Sequence, residues 1–118
     1  MKEDHFYLLH IRDAIERILS YTAEGKQAFF ADTRTQDAVI RNLEVMGEAV
    51  KNLSENLKAL HSSVPWKRIA GMRDKGIHEY FGVNIELVWD EIDREIPRLK
   101  TEIEAILRPS EKKHESRG

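Results

Sequence analysis

The chain predicts an all-α fold, an up-and-down bundle of four to five helices, on three observations. Apolar residues recur at spacings of three and four along most of its length. No stretch alternates as a half-buried strand would. Gly and Pro are scarce, at six and three of 118 residues, while 34% of residues are charged, the composition of surface helices and not of a β-sandwich. A chain of this length forms one core. With no Cys it has no disulfide framework, thiol nucleophile or thiolate-held metal. A net charge of -2 gives no bulk case for nucleic-acid binding, so any such function has to come from a local site.

The first helix is marked by Leu8, Ile11, Ile15 and Ile18, with Asp4 as its N-cap and Gly25 near its end. A polar linker over 31–34 leads to the second, capped by Thr33 or Thr35, whose stripe is Val39, Leu43, Met46, Val50 and Leu53. Residues 54–60 read as a brief turn of helix, and Pro65, at a first helical position, opens a segment through at least Lys75. The last helix follows Gly82, is capped by Asn84, and carries Ile85, Val88, Ile92, Ile96, Leu99, Ile103 and Ile106. Pro97 lies inside that stripe. The apolar period resumes beyond it without a slip, so a kink near Ile96 is expected and not a break. The whole is one helical domain over 1–108, followed by a charged tail over 109–118 that lacks an apolar stripe and is expected to be disordered. The apolar runs are too short to cross a bilayer, and acids at Glu3 and Asp4 stand where a signal peptide needs an apolar stretch. A cytoplasmic protein is expected.

Residues 71–82 differ from the rest: Arg73, Asp74, Lys75, His78, Glu79 and Tyr80 are concentrated between glycines. His78 titrates near neutral pH and can give or take a proton, and Arg73 can fork around a phosphate. On a straight helix, five residues turn a side chain by about 140°, which keeps Arg73 and His78 off a common face. Asp74 and His78 would be neighbours, and Arg73 and Tyr80 would align if the helix continued. Two copies meeting across an axis could instead bring the groups together. An exposed, charged helix end is the plainer alternative. Trp66 and Trp89 read as core or interface aromatics, and Glu48 with Arg41 as an interhelical or dimer pair. His5, His10 and His61 lack paired ligands at metal spacing, and Glu111 with His114 falls in the tail, so no metal site is expected.

Arg73-x4-His78-x-Tyr80 resembles the Arg-x4-His-x-Tyr pattern of the HepT-like branch of the HEPN ribonucleases. So do the run Pro65-Trp66-x-x-Ile69-Ala70-Gly71-Met72-Arg73-Asp74 before it and Tyr80-Phe81-Gly82-Val83-Asn84 with Val88-Trp89 after it. Ile40-Arg41-Asn42-Leu43-Glu44 and Gly47-Glu48-Ala49 are similar to that branch's second-helix signature, and the likeness spans roughly residues 5–107. Gly76 departs from it, standing in place of a larger apolar residue, as does Asn84 in place of an acid. The resemblance implies a HEPN-like bundle and a homodimer whose two motifs line one cleft. It implies a metal-independent endoribonuclease without a cofactor, the toxin of a type VII-like toxin–antitoxin system. The partner would be a small nucleotidyltransferase antitoxin that silences it by attaching AMP to Tyr80. His78 and Arg73 would then be catalytic, with Asp74 positioning His78 or holding Arg73. Lys67, Arg68 and Lys75 would add contacts to RNA phosphates. A non-catalytic helical module that docks a nucleotidyltransferase, or supplies its substrate, is the competing expectation.

Overall fold

The apolar stripes become helices, and the polar segments between them hold most of the departures from expectation. The computed structural model describes residues 2–82 and 84–117, with side chains at 3–77, 79–82 and 84–108. In chain order the helices are α1 (Lys2–Tyr21), α2 (Lys26–Ala31), α3 (Thr33–Lys51), α4 (Glu55–Leu60), α5 (Trp66–Lys75), α6 (Ile77–Phe81), α7 (Ile85–Asp90) and α8 (Ile96–Arg117). A π-helical turn, Glu91–Glu95, joins α7 to α8. No strand occurs among the described residues. In the tail expected to be disordered, 109–118, the backbone of 109–117 continues α8, and the side chains lie outside those described.

The core is made by the expected stripes: Ile11, Ile15 and Ile18 of α1, Val39, Leu43 and Met46 of α3, and Ile96 and Ile103 of α8 are fully buried. Each such side chain contributes roughly 1.5–3 kcal/mol through removal from water. α1 packs along α3 and α8, and α5 packs on α3. Trp66 is buried and donates from Nε1 to the His61 carbonyl at 3.0 Å, while the Trp89 ring lies 5.4 Å from that of Phe29.

Several helix ends differ from the sequence reading. Asp4 is not the N-cap of α1 but sits inside it, buried, and accepts from the Ser54 N–H at 2.8 Å and the Ser54 hydroxyl at 2.6 Å. Ser54 is itself the cap of α4, its Oγ accepting from the Leu57 N–H. The cap of α3 is Asp32, not Thr33 or Thr35, with its carboxylate accepting from the Arg34 and Thr35 N–H groups. The linker before it is partly the helix α2, too short to show a period. Its ending carbonyls, Phe29 and Phe30, accept from the Gln36 amide. Pro65 caps α5 from one residue outside the helix.

Asn84 caps α7 as expected, accepting from the Glu86 N–H at 2.9 Å. Near Ile96, where a kink is expected, the structure has a π-helical turn just before Pro97, in which the Ile96 N–H reaches the Glu91 carbonyl. Pro97 has no N–H for the carbonyl four residues back, and its ring crowds that carbonyl; one wider turn relieves both.

Candidate active site on helices α5 and α6

Arg73 owes its position to a close approach of two helices. A Cβ placed on Gly47 of α3 would stand 2.7 Å from the Arg73 Cβ and 2.9 Å from the Ile69 carbonyl oxygen. No side chain fits there, so glycine is what lets α5 lie against α3. Ile69 and Met72 are buried in that contact. Arg73 emerges at its edge, half exposed, with Nε 3.6 Å from Oε2 of Glu48, itself half exposed. A solvated pair of that length holds the guanidinium loosely. Both residues line a pocket of about 440 Å³ between α1, α3 and α5.

Asp74 pairs with Lys51 of α3 at 2.6 Å, and Arg73 with Glu48, so neither group is held by the other. The hydrogen bond from Lys51 to Asp74, together with the carboxylate charge, raises the lysine pKa. α5 ends at Gly76, whose φ of +80° is a conformation side chains with a Cβ rarely adopt. That break accounts for a glycine where the resembling branch carries a larger residue. It also removes the straight-helix alignment of Arg73 with Tyr80.

His78 is the second residue of α6, and its side chain lies outside the described residues. The Tyr80 ring meets Phe81 edge-on at 4.8 Å and passes 3.9 Å from where a Gly71 Cβ would stand. Its hydroxyl faces Arg68. Burial acts to lower the Arg68 pKa, but the hydrogen bond and charge of Glu91, helped by Tyr80, leave it raised. The Arg68 guanidinium donates to Glu91 at 2.7 Å and lies 3.7 Å from Glu95, both in the π-helical turn. Glu91 is only 6% exposed. A buried carboxylate needs its counter-charge, so Arg68 is turned inward. Of the three cations expected at RNA phosphates, Arg68 is engaged with Glu91 while Lys67 and Lys75 are exposed.

Arg68 and Arg73 are five residues apart on α5, a rotation of about 140°. Tyr80 lies on the Arg68 side and Arg73 on the Glu48 side. Glu48, expected with Arg41 in an interhelical or dimer pair, contacts Arg73, an interhelical pair from α3 to α5. Gly47, Glu48, Tyr7 and His10 have no site role legible in the sequence. The only signal was the run Gly47-Glu48 in the second helix, since Tyr7 and His10 reach the pocket through packing of α1 on α3. Among the described residues no group of three or more His, Asp or Glu is placed to hold a metal ion.

The family described as "Ribonuclease HepT-like" matches residues 11–106. The chain belongs to the HepT-like ribonuclease family. A relative from Caldanaerobacter subterraneus subsp. tengcongensis, named "Putative RNase TTE0752", is 47% identical over 111 residues, covering 91% of this chain and 96% of its own. Another, "Probable ribonuclease HepT" of Thermococcus cleftensis, is 45% identical over 108 residues, covering 90% and 98%. No solved structure matches the chain. Among the described residues, this HepT-like chain has no helix long and apolar enough to cross a membrane.

Proposed function

We propose that this HepT-like protein is a metal-independent endoribonuclease, the toxin of a type VII-like toxin–antitoxin pair, working as a homodimer. The supporting observation is that Arg73, His78 and Tyr80 follow one another along the chain in the pattern quoted above, inside the region that matches the HepT-like ribonuclease family. RNA carries its own nucleophile, which suits a site without Ser or Cys. The 2′-hydroxyl attacks the adjacent phosphorus, His78 takes its proton, and the P–O5′ bond breaks. The products are a 2′,3′-cyclic phosphate and a 5′-hydroxyl, the latter receiving a proton from the histidine of the second protomer. Arg73, loosely held by Glu48, turns to the phosphate oxygens as charge grows on them.

Silencing follows from Tyr80. A small nucleotidyltransferase antitoxin would transfer AMP from ATP to its hydroxyl, releasing pyrophosphate. The bulk and negative charge of the adduct would repel an RNA backbone. Asp74 and Lys51 supply a charged rim beside Arg73, and Lys67 and Lys75 add exposed positive charge for phosphates.

The test is RNA cleavage by the purified chain in EDTA, after intact-mass analysis has excluded an AMP-bearing sample. His78→Ala and Arg73→Ala should each reduce cleavage by about 10²–10⁴-fold while leaving the fold intact. Cleavage retained by folded His78→Ala rejects the assignment. With the nucleotidyltransferase and ATP, the parent should gain one or more AMP masses and Tyr80→Phe none; a gain by that variant rejects Tyr80 as acceptor. Tight binding to the nucleotidyltransferase without RNA cleavage would restore the binding-module reading.

A further inference from the structure

The pocket between α1, α3 and α5 offers more than a place for Arg73. Its volume of about 440 Å³ lies within the ~300–1,000 Å³ usual for small-ligand sites. Its walls are chemically divided. Arg41 and Arg73 bring two guanidinium groups to it, Glu44 and Glu48 two carboxylates, and Tyr7 and His10 two flat rings. Arg41 is exposed and has no ion pair among the described residues, and the partner of Arg73 is the loose contact with Glu48. The His10 ring is steadied by Phe6, edge-on at 4.4 Å.

A ligand that satisfies all of these walls carries an anion, a flat face and hydrogen-bond donors together. A bare phosphate would use the arginines but be repelled by Glu44 and Glu48. A purely apolar ligand would leave four charged side chains facing it. A nucleotide fits: its phosphate draws bidentate hydrogen bonds from the arginines, its base lies on an aromatic ring, and the base edge donates to a carboxylate. We infer that this pocket holds one unpaired nucleotide of single-stranded RNA, with its phosphate on Arg41 and Arg73 and its base against Tyr7. The inference rests on the ribonuclease reading, and it adds a second arginine and a base subsite to the phosphate that Arg73 serves there. Tyr7 and Arg41 act there as binding residues, and Glu48 exchanges Arg73 for the base edge when RNA enters.

The probe is a fluorescein-labelled 2′-O-methyl RNA oligomer, which lacks the nucleophile and so reports binding without cleavage. Fluorescence anisotropy is followed across salt concentrations with the full chain, Arg41→Gln and Tyr7→Leu. Arg41→Gln, at an exposed position, should weaken binding roughly tenfold and reduce the log–log salt slope by about one, since one phosphate contact is lost. Tyr7→Leu should also weaken binding roughly tenfold with the slope unchanged, since stacking releases no counterions. Unchanged binding by folded Arg41→Gln overturns the inference, as does a loss that tracks a change of oligomeric mass in light scattering. If the parent cleaves RNA through His78 while both variants bind as the parent does, the subsite alone falls. If the parent neither cleaves nor binds RNA, the ribonuclease reading falls with it.

Discussion

Asp4 shows how one residue type serves two ends. A carboxylate near the start of an apolar stripe reads as a helix cap, since nothing in the local sequence distinguishes a cap from a residue one turn further in. The difference is made by Ser54, fifty positions away, whose N–H and hydroxyl both donate to Asp4. Burial acts to raise the Asp4 pKa, but the two hydrogen bonds from Ser54, helped by the Lys58 charge, leave it lowered from the ordinary 3.8. The contribution to stability is therefore complete above pH 3.8 and is lost as pH falls through the lower folded-state value. Asp4→Ala should cost about 2 kcal/mol, the usual worth of hydrogen bonds to a charged group. Thermal melts at neutral pH and near pH 2 check it: the gap between parent and variant should narrow in acid. A gap that stays constant would mean that the carboxylate charge contributes nothing. Arg68 is a similar case, legible as a cation but not as the counter-charge of buried Glu91.

Among the elements, the contact of α3 with α5 decides where Arg73 stands. A glycine within an apolar helical stripe carries little local signal, because its role depends on a helix more than twenty positions on. With a Cβ, Gly47 would meet the Arg73 Cβ and the Ile69 carbonyl at 2.7 Å and 2.9 Å, and the carbonyl is backbone that yields only if α5 moves. Gly47→Ala should therefore destabilise the fold by about 1–3 kcal/mol, the range for overpacked sites, and displace Arg73. Circular-dichroism melting combined with RNA-cleavage assays measures both effects; an unchanged melting temperature would remove the close-approach argument. The helix α2 escaped sequence reading for a different reason. Six residues make fewer than two turns, too few for a period, and what secures them is Phe29 in the core and the Gln36 amide at their end.

In the whole molecule, the residues of the motif are divided. Arg73 opens on the pocket beside α1 and α3, while Tyr80 packs toward Arg68 on the other side of α5. A site that uses both is more readily completed by a second copy than by a rearrangement of one, and Phe6, 54% exposed next to His10, adds apolar surface on the pocket face. Sedimentation or light scattering should give twice the chain mass for the parent and for Arg73→Ala, with loss of cleavage only in the latter. A monomeric parent that still cleaves RNA would overturn the two-copy site.

By itself the sequence was sufficient for the all-α class, the three long apolar stripes, the Asn84 cap, the disturbance at Pro97 and the kinship carried by the run from Pro65 to Trp89. These rest on short-range regularities: helical period, local capping and a contiguous motif. Only the tertiary structure decided that Asp4 ties α1 to α4, that Arg68 faces inward to Glu91, that Glu48 holds Arg73, and that Gly47 allows α5 to lie so close. Each of those depends on partners many residues away, and a charged or small side chain has no preferred partner until packing brings one within a few ångströms.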